Sequence, residues 1–316
     1  MKVVIVGRFS ECARRRIAAV FPRDWTVVLT PAEDVAGELE DAEVLVPEHL
    51  PIDGPLLDRA KSLKLIQTGA GYDNVNIGEC SKRGVLVAHA KGVNAAAVAE
   101  HVFAFILSWV KNLIFLDHAV KQGAYDVDYV GGELSGKAIG IVGLGSIGQE
   151  VGRLAQAFRM TVSACHRRPI TVPSGIQLVD LPTLLQRSDI VTLHVSFHQQ
   201  TRHMIGRKEL ALMKRDALLI NTSRGPIIDE EALIEALENE QIGGAALDVF
   251  ETEPLPEDSR LRSLRNVILT PHIAGMPDGL TFHQKRYEFF VENIRRISEG
   301  KPPVNALNEV SRDRVY

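Results

Sequence analysis

The sequence predicts an α/β protein with two doubly wound parallel sheets, and three observations lead to this fold class. Short apolar runs alternate with amphipathic stretches from residue 1 to about residue 90, a pattern typical of parallel strands covered by helices on both faces. The same alternation begins again after a long apolar stretch at about 94–112. The length of 316 residues also exceeds the roughly 250 that one hydrophobic core usually serves.

The first sheet is predicted from five runs rich in β-branched residues, which are KVVIV, TVVLT, AEVLV, LKLIQT and VLVAH in chain order. Helix-like segments lie between them, for example SECARRRIAAV (10–20) and NIGECSKRG (76–84). The last helical stretch of the chain, 278–300, ends at Gly300 and is followed by KPP, which stops a helix.

The segment AAAVAEHVFAFILSWV (95–110) predicts a buried helix. It is shorter than the ~18 residues that a membrane span needs, and it contains Glu100 and His101. Because the segment is apolar nearly all round, it suits either the core of a domain or a subunit contact. After a connection at about 123–136, six further strands are predicted from KAIGIVG, MTVSACH, DIVTLHV, ALLINTS, GGAALDV and NVILTPH.

Composition and charge argue against several classes of partner. Hydrophobic residues make up 45% and charged residues 24% of the chain, and the net charge is −4 with acids and bases interspersed. We therefore expect no binding to nucleic acid or to a membrane. Cys12, Cys80 and Cys165 are far apart and lack metal-ligand spacing, so we expect reduced thiols in a cytoplasmic protein and no metal site.

The stretch GIVGLGSIGQEVGRLAQAF (140–158) predicts a dinucleotide-binding turn of the Rossmann type. Gly143, Gly145 and Gly148 follow a strand as G-x-G-x-x-G and open a helix. The first glycine permits the tight turn, the second lets the backbone approach a pyrophosphate, and the third lets the helix pack closely on the strand. Ser146 and Ile147 begin the helix, whose positive end would face the phosphates.

The stretch ACHRRP (164–169) lies at the end of the next strand, where an acid ordinarily binds the ribose 2′-hydroxyl. His166 stands 18 residues after Gly148, and Arg167 and Arg168 follow it. A guanidinium pairs well with phosphate, so the stretch favours NADP(H) as the preferred cofactor, with NAD(H) as the alternative. Arg167 is the favoured phosphate ligand, and His166 would support the adenine or the phosphate. The other interpretation is a solvated basic turn in which neither arginine touches a ligand.

Three ionisable residues are predicted at strand ends in the second half of the chain. Arg224 follows ALLINTS, Glu253 lies in DVFETEP, and His272 follows the last strand. Taken alone, Arg224 could cap a helix, Glu253 could be a solvated loop acid, and His272 could be a satisfied polar residue. Together, beside a nicotinamide site, they supply the groups that carbonyl reduction needs.

The chain resembles the D-isomer-specific 2-hydroxyacid dehydrogenases over nearly its whole length. The motifs that carry the resemblance are QTGAGYDNVNI, NAAAVAEH, GLGSIG, DIVTLHV, NTSRGPIIDEEAL, GAALDVFETEP and LTPHIAG. The resemblance implies a central Rossmann domain at 95–284, inserted in a discontinuous, flavodoxin-like substrate domain formed by 1–94 and 285–316.

The resemblance also implies a role for each site residue. Arg224 would grip the substrate carboxylate and polarise the adjacent carbonyl, and His272, backed by Glu253, would protonate the carbonyl oxygen. Backbone N–H groups of Ala70 and Gly71 would also receive the carboxylate. The remaining implied residues are Asp248, which would orient the nicotinamide carboxamide, and Thr222, His194, Val195 and Ser196, which would line the cofactor cleft.

The expected activity is the NADPH-preferring reduction of small 2-oxo acids, such as glyoxylate or hydroxypyruvate, to D-2-hydroxy acids by a cytoplasmic homodimer. A D-3-phosphoglycerate dehydrogenase is the first alternative, but VPEHLP (46–51) lacks the arginines that would bind a phosphorylated substrate, unless a distant arginine substitutes. A phosphite-type dehydrogenase would use much the same three residues. The alternative outside enzymes is a dinucleotide-sensing binding protein of the corepressor type.

Overall fold

The computed structural model describes residues 1–125, 131–276 and 284–310. The chain divides into two compact units, one formed by Met1–Asn94 with the described part of Met276–Tyr316, the other by Ala95–Gly275. Each unit contains one parallel sheet with its helices, which confirms the predicted α/β class. The sequence predicts that the chain returns to the first domain at residue 285. The observed division lies at 276, and residues 277–283 are outside the described part.

In chain order the strands are β1 (Lys2–Val6), β2 (Thr26–Thr30), β3 (Val44–Val46), β4 (Leu65–Thr68), β5 (Leu86–His89), β6 (Ala138–Val142), β7 (Thr161–Cys165), β8 (Ile176–Leu178), β9 (Ile190–Leu193), β10 (Leu218–Asn221), β11 (Gly244–Leu247) and β12 (Val267–Leu269). The helices are α1 (Glu11–Val20), α2 (Gly54–Arg59), α3 (Ile77–Lys82), α4 (Ala95–Val110), α5 (Leu113–Lys121), α6 (Ser146–Ala157), α7 (Leu181–Arg187), α8 (Arg207–Leu210), α9 (Glu230–Glu238) and α10 (Gln284–Ser298). Short 3-10 helices occupy Ala32–Gly37, Gly225–Ile227 and Arg260–Ser263.

Short polar side chains fix the starts of several helices. Each accepts a backbone N–H that would otherwise lack a partner in the first turn, and the residues are Ser10, Asp53, Asn76, Asp180 and Asp229. The helix boundaries are therefore set locally by the sequence.

The sheet of the first unit has the strand order β2-β1-β3-β4-β5, which is the flavodoxin-like order. All five predicted strands are present. Helices α1 and α10 pack together in one core cluster, where Ile17, Tyr287 and Phe290 are fully buried. The buried Asn293 of α10 donates from Nδ2 to Gln67 Oε1 of β4 at 2.7 Å, so a hydrogen bond supplements the packing.

The sheet of the second unit has the order β8-β7-β6-β9-β10-β11-β12. This is the Rossmann order with β12 added at one edge, and the order reverses between β6 and β9. The six predicted strands are present, and β8 is a seventh that the sequence did not predict. Gln177 and Leu178 of β8 are exposed at the edge, so this strand lacks a continuous apolar run.

The long apolar segment forms α4, which packs on α6 and buries six residues, as predicted for a core helix. It ends at Val110, and the left-handed Asn112, with φ of 51°, leads into α5. No residue of α5 is buried. Its four most exposed apolar residues, which we call the α5 surface, are each more than half exposed and comprise Leu113, Ile114, Phe115 and Val120. Among the described residues no single helix is long and apolar enough to cross a bilayer; only α4 and α5 together, bent by 58°, have that length and composition.

Candidate active site

The glycine-rich turn joins β6 to α6, and its geometry requires glycine at two of the three positions. Gly143 has φ of +101°, and a Cβ there would lie 2.6 Å from the carbonyl oxygen of His194. A Cβ on Gly148 would overlap the carbonyl oxygen of Gly143. A Cβ on Gly145 would meet no atom within 4 Å, so this backbone faces open space at the start of α6. The turn thus leaves a cradle of the kind that a pyrophosphate fills.

The basic stretch after β7 reaches both the glycine turn and a second loop. The Leu144 N–H donates to His166 Nδ1 at 3.1 Å, so the neutral ring carries its proton on Nε2. Arg167 and Arg168 are exposed, and Arg167 Nη1 donates to Gln200 Oε1 at 2.7 Å. Gln200 was not among the predicted site residues, because a contact across 33 positions leaves no local signal in the sequence.

Two buried polar atoms at neighbouring strand ends have no hydrogen-bond partner in the described part of the chain. His194 follows β9 and Thr222 follows β10, and Leu193 and Asn221 are paired in the sheet. The two atoms are His194 Nδ1 and Thr222 Oγ1. His194 Nε2 lies 2.9 Å from Thr192 Oγ1, and burial lowers the pKa of His194 to about 3. A neutral imidazole and a hydroxyl are therefore available to a polar ligand.

These features fit a dinucleotide. The structure brings the glycine turn together with His166, His194 and the backbone of Val195, whose nitrogen would lie 2.9 Å from a Cβ on Gly143. Ser196 is exposed, and its carbonyl accepts from the Thr201 hydroxyl at 2.9 Å. Ser146 and Ile147 form the first turn of α6. A cofactor would thus be held by the turn, by the α6 amides and by the two atoms His194 Nδ1 and Thr222 Oγ1, and these assignments stay predictions.

His272 and Glu253 form a hydrogen-bonded pair beyond β12 and β11. His272 Nδ1 lies 2.7 Å from Glu253 Oε2, and Glu253 Oε1 accepts from the Phe250 N–H at 3.1 Å. Partial burial opposes ionisation of Glu253, but the hydrogen bond and charge of His272, the Phe250 N–H and the charge of Arg224 together lower its pKa. The ionised carboxylate therefore orients the imidazole through Nδ1.

Arg224 lies in the turn between β10 and the 3-10 helix Gly225–Ile227. Asn221 Nδ2 donates to the Arg224 carbonyl at 2.9 Å, and Arg224 Nη1 donates to the Ser223 carbonyl at 2.8 Å. Gly225 is needed because a Cβ there would overlap the carbonyl group of Phe250 and lie 2.5 Å from the nitrogen of Glu251. This approach places the Arg224 turn against the segment that carries Glu253. This contact between distant segments was not predicted from the sequence.

Asp248 is buried at the end of β11 and holds residues 270–274, which we call the His272 turn. Its carboxylate accepts from the Ile273 N–H at 2.9 Å and the Ala274 N–H at 2.8 Å, and its carbonyl accepts from the His272 N–H at 2.8 Å. His272 has φ of 54°, a left-handed conformation that few non-glycine residues adopt. These bonds therefore hold the backbone of His272 in a strained conformation, and the backbone in turn positions the imidazole. A contact of Asp248 with a nicotinamide stays a prediction.

Ala70 and Gly71 belong to the other unit, in the loop after β4. The Gly69 carbonyl accepts from the Ala90 N–H at 2.9 Å, and His89 Nδ1 lies 3.5 Å from the Ala70 carbonyl oxygen. Burial lowers the pKa of His89, so this ring is mainly neutral. The loop is thus anchored to β5, and carboxylate binding by its amides stays a prediction.

Across 1–125, 131–276 and 284–310, no group of three or more His, Cys, Asp or Glu side chains could hold a metal ion. Cys12, Cys80 and Cys165 are free thiols. The Rossmann sheet and the residues at its carboxyl edge define a nicotinamide-dinucleotide-dependent oxidoreductase.

Comparison with known proteins identifies the family. Residues 103–274 match the sequence profile of the D-isomer specific 2-hydroxyacid dehydrogenase NAD-binding domain. The glyoxylate reductase of Korarchaeum cryptofilum is 35% identical over 98% of this chain and 96% of its own. The glyoxylate/hydroxypyruvate reductase B of Yersinia pestis is 37% identical over 97% of both chains. The chain therefore belongs to the D-isomer-specific 2-hydroxyacid dehydrogenase family, as the resemblance predicted.

Other relatives differ in substrate and cofactor. The D-3-phosphoglycerate dehydrogenase of Methanocaldococcus jannaschii is 36% identical over 98% of this chain and 59% of its own. Among solved structures, the TT0316 protein of Thermus thermophilus has a TM-score of 0.86 at 33% identity and covers 98% of this chain and 100% of its own. An acyclic imino acid reductase with NADPH and D-Arg scores 0.85 at 30% identity, and a D-lactate dehydrogenase of Aquifex aeolicus with NAD and lactic acid scores 0.83 at 29%. Each of these two also covers 98% of this chain and 100% of its own.

Proposed function

We propose that the protein reduces small 2-oxo acids of the glyoxylate or hydroxypyruvate type to D-2-hydroxy acids, with NADPH as the preferred cofactor. The observation that carries the proposal is the 2.7 Å His272–Glu253 pair beside the Arg224 turn. This arrangement combines a cation suited to a carboxylate with an imidazole suited to proton transfer. The two reductases named for these substrates support the substrate class.

His272 is the proton donor in this proposal. When bound, NADPH supplies the hydride for the 2-oxo carbon. The protonated imidazole gives its proton to the carbonyl oxygen and becomes neutral, and in the oxidising direction the neutral ring takes the proton back. Glu253 stays ionised and accepts from Nδ1, which keeps the ring of His272 in one orientation.

Arg224 is the carboxylate ligand in this proposal. A guanidinium can make two parallel hydrogen bonds to one carboxylate, which fixes the position of the adjacent carbonyl. The same positive charge stabilises the negative charge that develops on the carbonyl oxygen. The backbone N–H groups of Ala70 and Gly71 stay predicted ligands of a substrate carboxylate.

The preference for NADPH rests on the basic stretch at 166–168. Arg167 is held by Gln200, Arg168 is exposed beside it, and no acid occupies position 166. We expect Arg167→Asp to raise the KM for NADPH about 100-fold, as expected for losing a charged two-point contact, while NADH use changes little. Arg168→Asp makes the same charge reversal at the neighbouring position and should have the smaller effect, because Arg167 is the favoured phosphate ligand. Equal losses with both cofactors would contradict a 2′-phosphate contact.

The test of the reaction is a spectrophotometric panel of 2-oxo acids with each reduced cofactor. Wild-type protein should consume NADPH fastest with glyoxylate or hydroxypyruvate. His272→Ala should abolish turnover and leave cofactor binding, measured by fluorescence, nearly intact. Unchanged turnover in that variant would remove His272 from the proposal.

A homodimer is part of the proposal, and the α5 surface supports it. A nine-residue helix with no buried residue is marginal in water unless something covers its apolar face. A second copy of the chain would cover Leu113, Ile114 and Phe115. Light scattering should give twice the chain mass for wild type and a smaller value for Phe115→Asp. The three free thiols suit the reducing cytoplasm.

A D-3-phosphoglycerate dehydrogenase is the second candidate, because a relative so named is 36% identical to 98% of this chain. Arg286 is an arginine distant in sequence from 46–51, and its Nη1 would lie 3.5 Å from a Cβ on Gly69. However, its guanidinium is paired with Glu48 at 2.9 Å and is largely buried, so its charge is already compensated. 3-Phosphohydroxypyruvate belongs in the panel as the discriminating substrate. Turnover of any substrate in the panel would show that the protein is an enzyme of one of these two kinds and not a dinucleotide-sensing protein that only binds the cofactor.

A further inference from the structure

The carboxylate of Asp248 receives a third hydrogen bond, which comes from a side chain of the His272 turn and not from its backbone. The Thr270 hydroxyl lies 2.5 Å from Asp248 Oδ1 and donates to it. Asp248 is 1% exposed, and a buried carboxylate depends on such donors for its stability. Thr270 therefore completes the set of bonds that begins with the Ile273 and Ala274 amides.

The Thr270 hydroxyl is in turn held by His101. His101 Nε2 lies 3.1 Å from Thr270 Oγ1. The single hydroxyl proton is already directed to Asp248, so Thr270 Oγ1 accepts and His101 Nε2 donates. This fixes the proton on Nε2 and gives a continuous chain from His101 through Thr270 to Asp248.

The ring of His101 is itself fixed by its helix. It packs edge-on against Phe105, one turn further along α4, with ring centroids 4.5 Å apart. His101 Nε2 is also 3.9 Å from Asp248 Oδ1, so its N–H lies near the buried anion as well as the Thr270 hydroxyl. Helix α4 thus supplies a fixed donor to a network that ends at the backbone of His272.

We infer that His101 is a positioning residue for the proton donor: it holds Thr270, Thr270 holds Asp248, and Asp248 holds the left-handed backbone of His272. The inference rests on the proposed role of His272. His101 touches neither reactant in this view, and its contribution is to restrict the His272 turn to one geometry. Small errors in the placement of a reacting group reduce rates strongly.

The experiment compares His101→Leu, which removes the donor, with His101→Gln, whose amide can place a donor near the position of Nε2. Glu100→Gln, at the exposed neighbouring position on α4, is the matched control. Two quantities are measured: hydrogen exchange of the Ile273 and Ala274 amides, and kcat with the KM for each reactant. His101→Leu should speed exchange at both amides and lower kcat, each about tenfold, as expected for weakening one hydrogen bond in a charged network. The KM for NADPH should rise by less than kcat falls, since the glycine turn is not part of the network and only the predicted carboxamide contact of Asp248 is affected.

His101→Gln should restore most of both losses, and Glu100→Gln should show neither. Thr270→Val, which keeps the shape and removes the hydroxyl, should match His101→Leu, and the double variant should add little. Should His101→Leu not fold, Thr270→Val with His101→Gln carries the same test. Wild-type exchange at Ile273 and Ala274 would overturn the inference, and so would faster exchange with wild-type kcat. The kcat of His272→Ala, measured in parallel, separates the two proposals. Activity in that variant would refute the proton-donor role of His272, whereas the hydrogen-exchange result would still test whether His101 holds the His272 turn.

Discussion

Replacement of Gly225 by alanine tests whether the candidate active site depends on the close approach of the Arg224 turn to the segment 250–253. A Cβ at this position would overlap the Phe250 carbonyl and lie 2.5 Å from the Glu251 nitrogen, whereas real Cβ contacts are essentially never below 3.0 Å. The atoms in the way are backbone, so no side-chain rotation relieves the overlap. The Arg224 turn must therefore move away from the segment 250–253.

The expected magnitude follows from that displacement. Arg224 precedes Gly225, and the Phe250 N–H is bonded to Glu253, so the movement separates the guanidinium from the His272–Glu253 pair. A shift on the order of 1 Å between reacting groups costs about 100-fold in rate. Overpacking of this kind also destabilises by about 1–3 kcal/mol, which lowers Tm by several degrees.

The assay measures kcat/KM for the 2-oxo acid, the Kd for NADPH and Tm. Gly225→Ala should lose about 100-fold in kcat/KM, while the Kd for NADPH changes little because residues 143–148 are not displaced. Gly37→Ala is the control, since a Cβ there meets no atom within 4 Å. Gly225→Ala with kcat/KM within about threefold of wild type would refute the reasoning.

Two further predictions concern ionisation. Glu253→Gln should lower kcat/KM at neutral pH, because the wild-type carboxylate, with its pKa below the ordinary 4.5, is ionised there and orients the imidazole of His272 through Nδ1; a wild-type kcat/KM in that variant would contradict the pairing. In the native protein, iodoacetamide should modify the exposed Cys12 long before Cys80, because Cys80 is fully buried and burial raises its pKa to about 11. Mass spectrometry of digests after timed alkylation measures the order, and comparable rates at the two cysteines would show that the interior near Cys80 opens readily.

Eleven strands were predicted from the sequence because buried parallel strands are continuous apolar runs. β8 was missed for the converse reason, since Gln177 and Leu178 at the sheet edge are exposed. Helix α5 was also not predicted, because none of its residues is buried and the left-handed turn at Asn112 that precedes it is a backbone property.

The candidate site was predicted as a set of residues and not as a geometry. The positions of Arg224, Glu253 and His272 after predicted strands singled them out, and the family resemblance implied their roles. The structure brings the Arg224 turn against the segment of Glu253, which pairs with His272. Gln200, Gly225 and the His101–Thr270 contact were not predicted. Each depends on atoms that are distant in sequence, and a single sequence carries no signal of that kind.

The hydrogen bond from Leu144 to His166 limits how the choice of coenzyme can be redesigned. Leu144 is fully buried, so a residue at position 166 without an acceptor would leave that amide unpaired inside the protein. Aspartate has two oxygens, one for the amide and one for the diol of an unphosphorylated ribose, whereas alanine offers neither. A variant with better use of NADH therefore starts from His166→Asp combined with loss of the Arg167 charge, because neutralising the arginines alone would weaken the proposed 2′-phosphate contact of NADPH and add no contact to the ribose diol of NADH.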